Sequence, residues 1–442
     1  MKVKLLYLHS WVIVAATLGL ATRAVRPGPA SDSPVGVPAT NQVLNLDEAL
    51  RLAFASHPEL RAAQARLDAA AGRQAQAGLW SNPELELSAE EWRVDGSGFS
   101  RATRLVGVSQ TVPFPGKKPL DRQIGGQQVR VSEAELSLRR LELVRDVKVA
   151  YCQVLAADRL AAVAAELVRV AGRSAETARK RVAAGAAPDQ EQLRAEIQLE
   201  QANNELAGFR GGQAHSRQSL AASLGQPGLT SVTLAGQLEE QPPLALLDQD
   251  AESWLAAHPA LVAARENQKR AGLEWRRARL EPYPDVKLGL AGGRLGESSE
   301  GIVELRLSLP LPIIDRSRGR QREARANATL AEAEAAAVEQ RWRQAWEAAR
   351  RRLRTAAEQA ANCRERILPK ADAALRLVQT GFEQGKFGFM DLLDTQRTAS
   401  ETRLVYLQKV LDLNVALAEL EALSGSPLAA ASPGVVPPPP SR

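Results

Sequence analysis

The chain has 442 residues, of which 45% are hydrophobic, 24% are charged and only 4% are aromatic. These fractions are ordinary for a folded protein, and the length suits two or three domains or one large one. The net charge of +6 is spread along the chain, with arginines and glutamates interleaved. No basic cluster with intervening aromatic residues is present, so the composition does not favour nucleic-acid binding.

The two ends of the chain differ from the part between them. Residues 1–24 have the lysines, apolar run and small residues of a secretory signal peptide, with cleavage expected near Ala21 or Ala24. A membrane anchor helix is the alternative, although the run is short for one. Residues 25–45 are rich in Pro, Gly and Ser and predict a flexible leader, and residues 427–442 predict a disordered proline-rich tail.

Between leader and tail the sequence is an internal duplication with a period of about 200 residues. We predict a first repeat at 46–228 and a second at 246–426. The registers agree at a His-Pro pair, at the proline that opens the first strand, at a double-proline segment and at two glycines. These landmarks are His57 and His258, Pro83 and Pro284, Pro113 and Pro310, Gly185 and Gly385, and Gly225 and Gly425.

Each repeat predicts the same elements in the same order. A short helix ends at the His-Pro pair, and a helix of roughly 22 residues and then two strands follow. A helix of roughly 65 residues spans 117–181, or 314–381 in the second repeat, and after a glycine a helix of roughly 36 residues returns. Because a 65-residue helix is about 100 Å long, the shorter helices must stack end to end along it. Each repeat then forms a long antiparallel rod.

The four predicted strands alternate apolar and polar residues. Leu85, Val106, Leu288 and Leu305 lie on the apolar face, and Glu84, Glu86, Lys287, Glu304 and Arg306 are among the residues of the polar face. Strands of about ten residues are long enough to cross a bilayer when tilted, and Trp80, Trp92 and Tyr283 at their ends suit a membrane interface. Because an open edge is not viable in lipid, other subunits would have to complete the sheet. A water-soluble antiparallel sheet with one solvated face gives the same alternation.

Two prolines follow the second strand of each repeat, Pro113 and Pro115 in "TVPFPGKK" and Pro310 and Pro312 in "SLPLPIID". Proline has a fixed φ and no backbone donor, so it suits a rigid junction where a strand gives way to a helix. Prolines that only end the strands are the alternative.

Five motifs together give the chain a family resemblance. They are "HPELRAAQARLDAA", "SQTVPFPGKK", "LSLPLPIIDRSRGR", "RVAAGAAPDQEQLRAE" and "GKFGFMDLLDTQ". In this order and in duplicate, they make residues 45–425 resemble the TolC-like outer-membrane efflux protein family. "PGKK" and "LPLPIIDR" are most similar to its CzcC-like heavy-metal efflux branch.

The resemblance implies an α+β membrane fold. Each protomer of a homotrimer would contribute four strands to a twelve-stranded transmembrane β-barrel and helices to a long α-helical coiled-coil barrel. The barrel would lie in the outer membrane of a Gram-negative bacterium, with the helical part extending into the periplasm. The partners would be outer-membrane lipid, a periplasmic adaptor (membrane fusion) protein and an inner-membrane RND pump. The double-proline segments would lie where barrel strands become duct helices.

The resemblance also implies roles for individual residues. Arg181 and Gly185 match the family's R-x-x-x-G pattern at the adaptor-docking tip, and Gly385 marks the second tip, where Gly381 replaces the usual arginine. Asp391 and Asp394 match the paired aspartates of the aperture gate. Helix-start charges favoured by the helix dipole are the alternative for this pair. The polar-face residues Glu84, Glu86, Lys287, Glu304 and Arg306 would face the barrel lumen.

The motifs predict transport and no catalysis. No phosphate-binding loop, nucleophile elbow or zinc motif is present, and no histidine or cysteine cluster has metal-ligand spacing, so neither a cofactor nor a bound metal is expected. Cys152 and Cys363 are interpreted as buried small residues, with a structural disulfide as the alternative. The predicted function is passive conduction of substrates, heavy-metal cations foremost, from an RND-type efflux pump. A drug or type I secretion channel and a periplasmic coiled-coil adaptor are the alternatives.

Overall fold

The computed structural model describes residues 43–90, 102–229, 232–241, 251–296, 298 and 300–425. The predicted signal peptide and tail lie outside the described residues, as do Trp92 and most of the leader. The predicted leader boundary at 45 is too late. Val43 and Leu44 form a strand, and Asn45 caps the first helix through a reciprocal pair of hydrogen bonds with Glu48.

The described residues form a mostly helical chain with six strands. The helices are α1 Leu46–Ser56, α2 Pro58–Ala77, α3 Lys117–Ala183, α4 Asp189–Ser223, α5 Ala251–Leu255, α6 Pro259–Ala278, α7 Arg318–Asn362, α8 Leu368–Glu383 and α9 Phe389–Ser424. The strands are β1 Val43–Leu44, β2 Glu84–Glu90, β3 Thr103–Val112, β4 Thr233–Leu234, β5 Val286–Arg294 and β6 Gly301–Ser308. Among the described helices, none is both long and apolar enough to cross a membrane.

The His-Pro pairs start corresponding helices in the two repeats, as predicted. His57 caps α2 by accepting a hydrogen bond from the Glu59 N–H at Nδ1, and His258 caps α6 in the same way. The proline that follows takes the first helical position, where a missing N–H leaves no bond unmade.

The prediction of one long helix in the first repeat is confirmed, but the prediction of a continuous helix over 314–381 in the second repeat is wrong. α7 begins only at Arg318, after Ser317 in a left-handed conformation with φ of 54°. A π-helical turn at Cys363–Ile367 then separates α7 from α8, and the Leu368 N–H donates to the Cys363 carbonyl five residues back. Pro369, which has no N–H, follows at once and cannot continue the α-helical hydrogen bonds.

The shorter helices stack along the long ones, as the lengths predicted. α2 and α4 both pack on α3, and in the second repeat α6 packs on α7 while α9 packs on α7 and α8. The two repeats also pack on each other, because α3 contacts α6 near the sheet and α9 beyond it. Side by side, the helices therefore pack in the order α2, α3, α6, α7 near the sheet and in the order α4, α3, α9, α8 farther away.

Each repeat has its own hydrophobic core. The first surrounds Val147, Tyr151 and Leu220, and the second surrounds the stacked rings of Trp342 and Trp346. Most other buried positions of the long helices are alanines, which allow close helix approach where aromatic residues are scarce. The cores lie where the shorter helices of each repeat meet end to end.

The four long strands form one antiparallel sheet in the order β2-β3-β5-β6. β3 and β5 join the two repeats, and Val108 pairs with Leu290 at this seam. Leu85 pairs with Val108 on one side of the seam, and Leu290 with Leu305 on the other. The register therefore brings the apolar residues of all four strands onto one face, as predicted.

The duplicated glycines at the ends of α4 and α9 provide a matched pair for testing a close backbone contact. Gly225 and Gly425 have φ of 69° and 73°. A Cβ at Gly225 would lie 2.9 Å from the Cα of His57, whereas one at Gly425 meets no atom of the described residues within 4 Å. Gly425→Ala should lower the free energy of unfolding only by the cost of holding alanine in the left-handed conformation, about 1–2 kcal/mol. Gly225→Ala should lower it by more, because of the added contact. Guanidinium unfolding followed by circular dichroism measures both, and equal losses would contradict the contact.

Candidate functional site

One face of the sheet is apolar and open. Val303, Leu305 and Leu307 of β6 are 77%, 82% and 70% exposed. The apolar residues of the other three strands continue this surface in the paired register; they are Leu85, Leu87, Val106, Val108, Leu288 and Leu290. A contiguous apolar surface of this kind on a folded chain marks a contact with protein or lipid.

The opposite face carries an ion-pair network that contains all five residues predicted to line a lumen. Lys287 Nζ lies 2.9 Å from carboxylate oxygens of both Glu84 and Glu86. Arg306 lies 2.9 Å from Glu304 and 3.4 Å from Glu86. The structure therefore brings these residues from three strands together on one polar surface.

Two further residues of the polar face join the network. The Ser109 hydroxyl donates to Glu86 Oε1 at 2.7 Å, and Glu90 lies 3.7 Å from Arg306. The alternation of β2 and β3 already contained the signal for both, since Ser109 and Glu90 share a face with Glu86. Within the described network, four carboxylates face two cations.

The sheet has two open edges. Within the described residues, β2 pairs only with β3 and β6 pairs only with β5. β2 and β6 run antiparallel to each other, because each neighbouring pair of strands in the sheet is antiparallel. A copy of the same sheet could therefore add at either edge with antiparallel pairing throughout.

The first double-proline segment, between β3 and α3, is tied to the other repeat. Between Pro113 and Pro115, the Phe114 N–H donates to Asp285 Oδ1 at 2.8 Å, and Lys117 Nζ lies 2.8 Å from the same oxygen. Burial raises the pKa of Asp285, but the hydrogen bonds from Lys117 and Phe114 outweigh it and hold the pKa below its ordinary value. This junction is fixed by a carboxylate that the sequence analysis did not single out.

The second double-proline segment is much more open. Pro310 and Pro312 follow β6 on an exposed stretch of chain. The Ser317 N–H donates to Asp315 Oδ1 at 2.7 Å just before α7 begins. The structure thus places both proline pairs between a strand and a long helix, and among the described residues a hydrogen bond to the other repeat is found for the first segment.

The two helical turns far from the sheet lie against each other. Gly185 and Gly385 have φ of 70° and 72°, the conformation predicted for these turns. Phe389 and Leu393 of the second repeat pack against Ala178 of the first in one buried cluster. The predicted docking residues Gly185 and Gly385 are therefore at the exposed ends of two packed hairpins.

Arg181 is turned toward the second hairpin. Its Cζ lies 5.7 Å from the Phe382 ring centroid and 5.8 Å from the Phe389 ring centroid. Its Nη1 lies 3.7 Å from Glu191, and about a third of the side chain is exposed. Such cation–π contacts contribute about 0.5–1 kcal/mol each at exposed sites. Arg181 thus bridges the two repeats with part of its guanidinium group and presents the rest to solvent.

An arginine at position 381 would clash with the Phe387 ring in its present position. A Cβ at this position would lie 2.1 Å from Cδ2 of Phe387, whose ring covers the glycine. The Phe387 N–H also approaches the Gly381 carbonyl, at 3.4 Å. The second turn therefore presents a half-exposed aromatic ring where the first presents small residues, a difference that the sequence alone did not predict.

Asp391 and Asp394 both lie exposed in the first turns of α9. Asp391 Oδ2 accepts a hydrogen bond from the Gly388 N–H at 2.9 Å, so this carboxylate also caps the helix. No hydrogen bond or ion pair of the Asp394 carboxylate is found among the described residues. Capping and gating are compatible roles for Asp391, because the cap uses only one carboxylate oxygen.

Metal ligands do not converge among the described residues, which contain no group of three or more His, Cys, Asp or Glu able to hold an ion. Cys152 and Cys363 are free thiols in this structure, and Cys363 is buried. Burial raises the pKa of Cys152 to about 11. A neutral thiol is a poor metal ligand, so this residue packs as a small apolar side chain.

A helical layer that ends in an open antiparallel sheet is the fold of TolC-like channels. The crystal structure of CusC is similar to this one, with 17% sequence identity and a TM-score of 0.73 over 86% of this chain and 92% of that one. The open-state MtrE outer membrane channel of Neisseria gonorrhoeae is 18% identical, with a TM-score of 0.72 over 87% of this chain and 89% of that one.

The model of the outer membrane efflux protein family matches residues 49–226 and 251–426, and the chain belongs to this family. The chain is also 29% identical over 373 residues to the cobalt-zinc-cadmium resistance protein CzcC of Cupriavidus metallidurans. This match covers 82% of this chain and 86% of the relative. The predicted resemblance is thus confirmed, and the family and fold are those of channel proteins of the Gram-negative outer membrane.

Proposed function

We propose that this protein is the outer membrane channel of a tripartite RND-type efflux system and conducts heavy-metal cations to the cell exterior. Three copies join β6 of one protomer to β2 of the next and close a twelve-stranded barrel. The observation that carries the proposal is the sheet itself, with its exposed apolar face, its ion-paired polar face and its two open edges.

In the closed barrel, the apolar face of the sheet contacts lipid and the polar face contacts water. Lipid covers Leu85, Val108, Leu290 and Leu305, and closure removes the unpaired backbone groups of the edges, which would each cost several kcal/mol in hydrocarbon. The network around Glu86 then faces a water-filled lumen. The helices continue this lumen as a duct through the periplasm and meet the adaptor protein at the turns of Gly185 and Gly385.

Metal cations are the proposed cargo for two reasons. A relative matched over 373 residues is named for resistance to cobalt, zinc and cadmium. The polar face also carries more carboxylates than cations, which favours positive ions in a wide pore. Deletion of the gene should lower tolerance to these metals. Lower tolerance to drugs with unchanged metal tolerance would assign the channel to drug export.

The aspartates of α9 give the proposal a residue-level prediction. Threefold symmetry would bring six carboxylates from Asp391 and Asp394 to one constriction, and like-charge rings of this kind attract cations. Asp391→Asn with Asp394→Asn should raise single-channel conductance and weaken block by divalent cations. Asparagine keeps an oxygen for the Gly388 N–H, so the helix cap is retained.

A charge-matched control separates the gate from a general effect of charge. Glu401 and Asp412 lie farther along α9, and Glu401→Gln with Asp412→Asn removes the same two charges. This variant should conduct and be blocked like the unmodified protein. Conductance and block that do not change in the Asp391 and Asp394 variant would contradict the proposed gate.

A further inference from the structure

The segment between β6 and α7 exposes large apolar residues outside any regular element. Leu311, Ile313 and Ile314 are 68%, 69% and 99% exposed, and Leu309 is 45% exposed. Exposing four aliphatic side chains within six residues to water is unfavourable, and burying them in an apolar environment would lower the free energy. An unidentified apolar environment is therefore expected to cover them.

This segment prolongs the apolar face of the sheet toward the helices. Val303, Leu305 and Leu307 point to that face from β6, and Leu309 and Leu311 continue the same alternation past the end of the strand. Whatever covers the apolar face of β6 therefore also reaches the proline segment.

Arginines follow the apolar segment at once. Residues 315–325, "DRSRGRQREAR", contain five arginines against two carboxylates. Arg320 is paired with Glu281 at 3.2 Å and lies 3.9 Å from Asp315. The remaining four, Arg316, Arg318, Arg322 and Arg325, are exposed, and no ion pair is found for them within the described part of the chain. We call these four residues the arginine collar.

The position of the arginine collar is unfavourable for the isolated chain. The first turns of a helix carry partial positive charge, so cations there are destabilising. Arg318 and Arg322 are also four residues apart on one helix, where like charges repel, and Arg325 lies on the same side. These positions become favourable only beside an anionic surface.

The neighbouring helix ends are basic as well. A groove between α2, α3 and α6 at the same end of the sheet is lined by Trp80, Lys118, Arg122 and Arg130, with Glu133 as its acidic residue. Residues 69–83, which lead into the opposite sheet edge, contain an arginine and no carboxylate. A second copy placed at the edge therefore offers the arginine collar no carboxylate from this segment.

We infer that the apolar segment 309–314 and the arginine collar form a contact surface for the anionic headgroups of membrane lipid at the helix side of the sheet. The inference rests on the proposed function, in which the apolar face of the sheet lies in a bilayer. The aliphatic side chains enter the acyl boundary, and the arginines bind lipid phosphates just outside it.

The test uses the full-length trimer in maltoside micelles, with the temperature of trimer dissociation read by electrophoresis. Phosphatidylglycerol should raise this temperature more than phosphatidylcholine with the same acyl chains. Arg318→Gln, Arg322→Gln and Arg325→Gln together should increase the phosphatidylglycerol concentration for half of the rise by roughly tenfold or more, since each arginine at an anionic surface contributes about a factor of five.

A second triple variant on the same helix is the matched control. Arg341, Arg351 and Arg354 are exposed on α7 farther from the sheet, and their change to glutamine removes the same charge. This control should respond to phosphatidylglycerol like the unmodified trimer. The inference would be overturned if the collar variant responded to phosphatidylglycerol like the unmodified trimer. It would also be overturned if the control lost as much of this response as the collar variant.

Two further measurements distinguish lipid from other molecules that could occupy this surface. If soluble glycerophosphate stabilises the trimer as much as phosphatidylglycerol does, the surface binds free phosphate and the inference is wrong. If the collar variant, but not the control, dissociates at lower temperature in phosphatidylcholine alone, the arginines contact the neighbouring copy and the inference is again wrong. A protein that forms no trimer before lipid is added would instead contradict the proposed function.

Discussion

Replacing Leu305 by lysine is expected to eliminate heat-resistant trimers from the outer membrane. Leu305 lies in the middle of β6 and is 82% exposed on the apolar face. A lysine near the bilayer midplane of a barrel costs about 2–4 kcal/mol, and a trimer bears this cost three times. The amount of trimer in purified outer membranes, resolved by electrophoresis without boiling, measures the effect.

Ser308→Lys is the control for the Leu305 variant. Ser308 belongs to the same strand but lies in the polar-face register, paired with Lys287. A lysine there would face water and should leave trimers at close to the normal amount. Normal trimers with Lys at 305, or equal loss in both variants, would mean that lipid does not cover the apolar face.

Replacing Lys148 by methionine is expected to destabilise the helical layer more than any surface change. Lys148 Nζ of α3 lies 2.5 Å from Glu421 Oε2 of α9, and the two side chains are only 15% and 7% exposed. Removing one member of a buried ion pair typically costs about 3–5 kcal/mol. Guanidinium unfolding followed by circular dichroism measures the loss.

A double variant separates the charge from the packing. Lys148→Met with Glu421→Leu removes both charges and keeps apolar volume in the same place, and such exchanges are often neutral or stabilising. The double variant should therefore recover most of the stability that the single variant loses. A double variant no more stable than Lys148→Met would show that the ion pair is not the cause.

Local patterns were enough to predict most elements of this fold. The His-Pro pairs, the strand alternation and the two turn glycines each depend on neighbours within a few residues, and the structure shows all three. The duplication strengthened each prediction, because every landmark was present twice. Gly185 and Gly385 are clear cases, since a positive φ is a requirement of the backbone at those two positions.

Contacts between distant parts of the chain could not be predicted in the same way. The Lys117–Asp285 and Lys148–Glu421 pairs join residues 168 and 273 positions apart, and no periodicity points to either. The fit of Phe387 over Gly381 depends on the course of a turn that sequence does not specify. The π-helical turn before Pro369 had a local signal in that proline, which the prediction of one continuous helix did not take into account.

The most direct test of the account is whether the purified chain assembles and conducts. Its mass in detergent, determined by light scattering, and its single-channel current in a planar lipid film are measured on the same preparation. A trimeric barrel with a carboxylate-rich lumen should give three chains per particle and long-lived ohmic pores with cation preference. A monodisperse single chain that stays in water without detergent and opens no pores would contradict closure of the sheet by other copies.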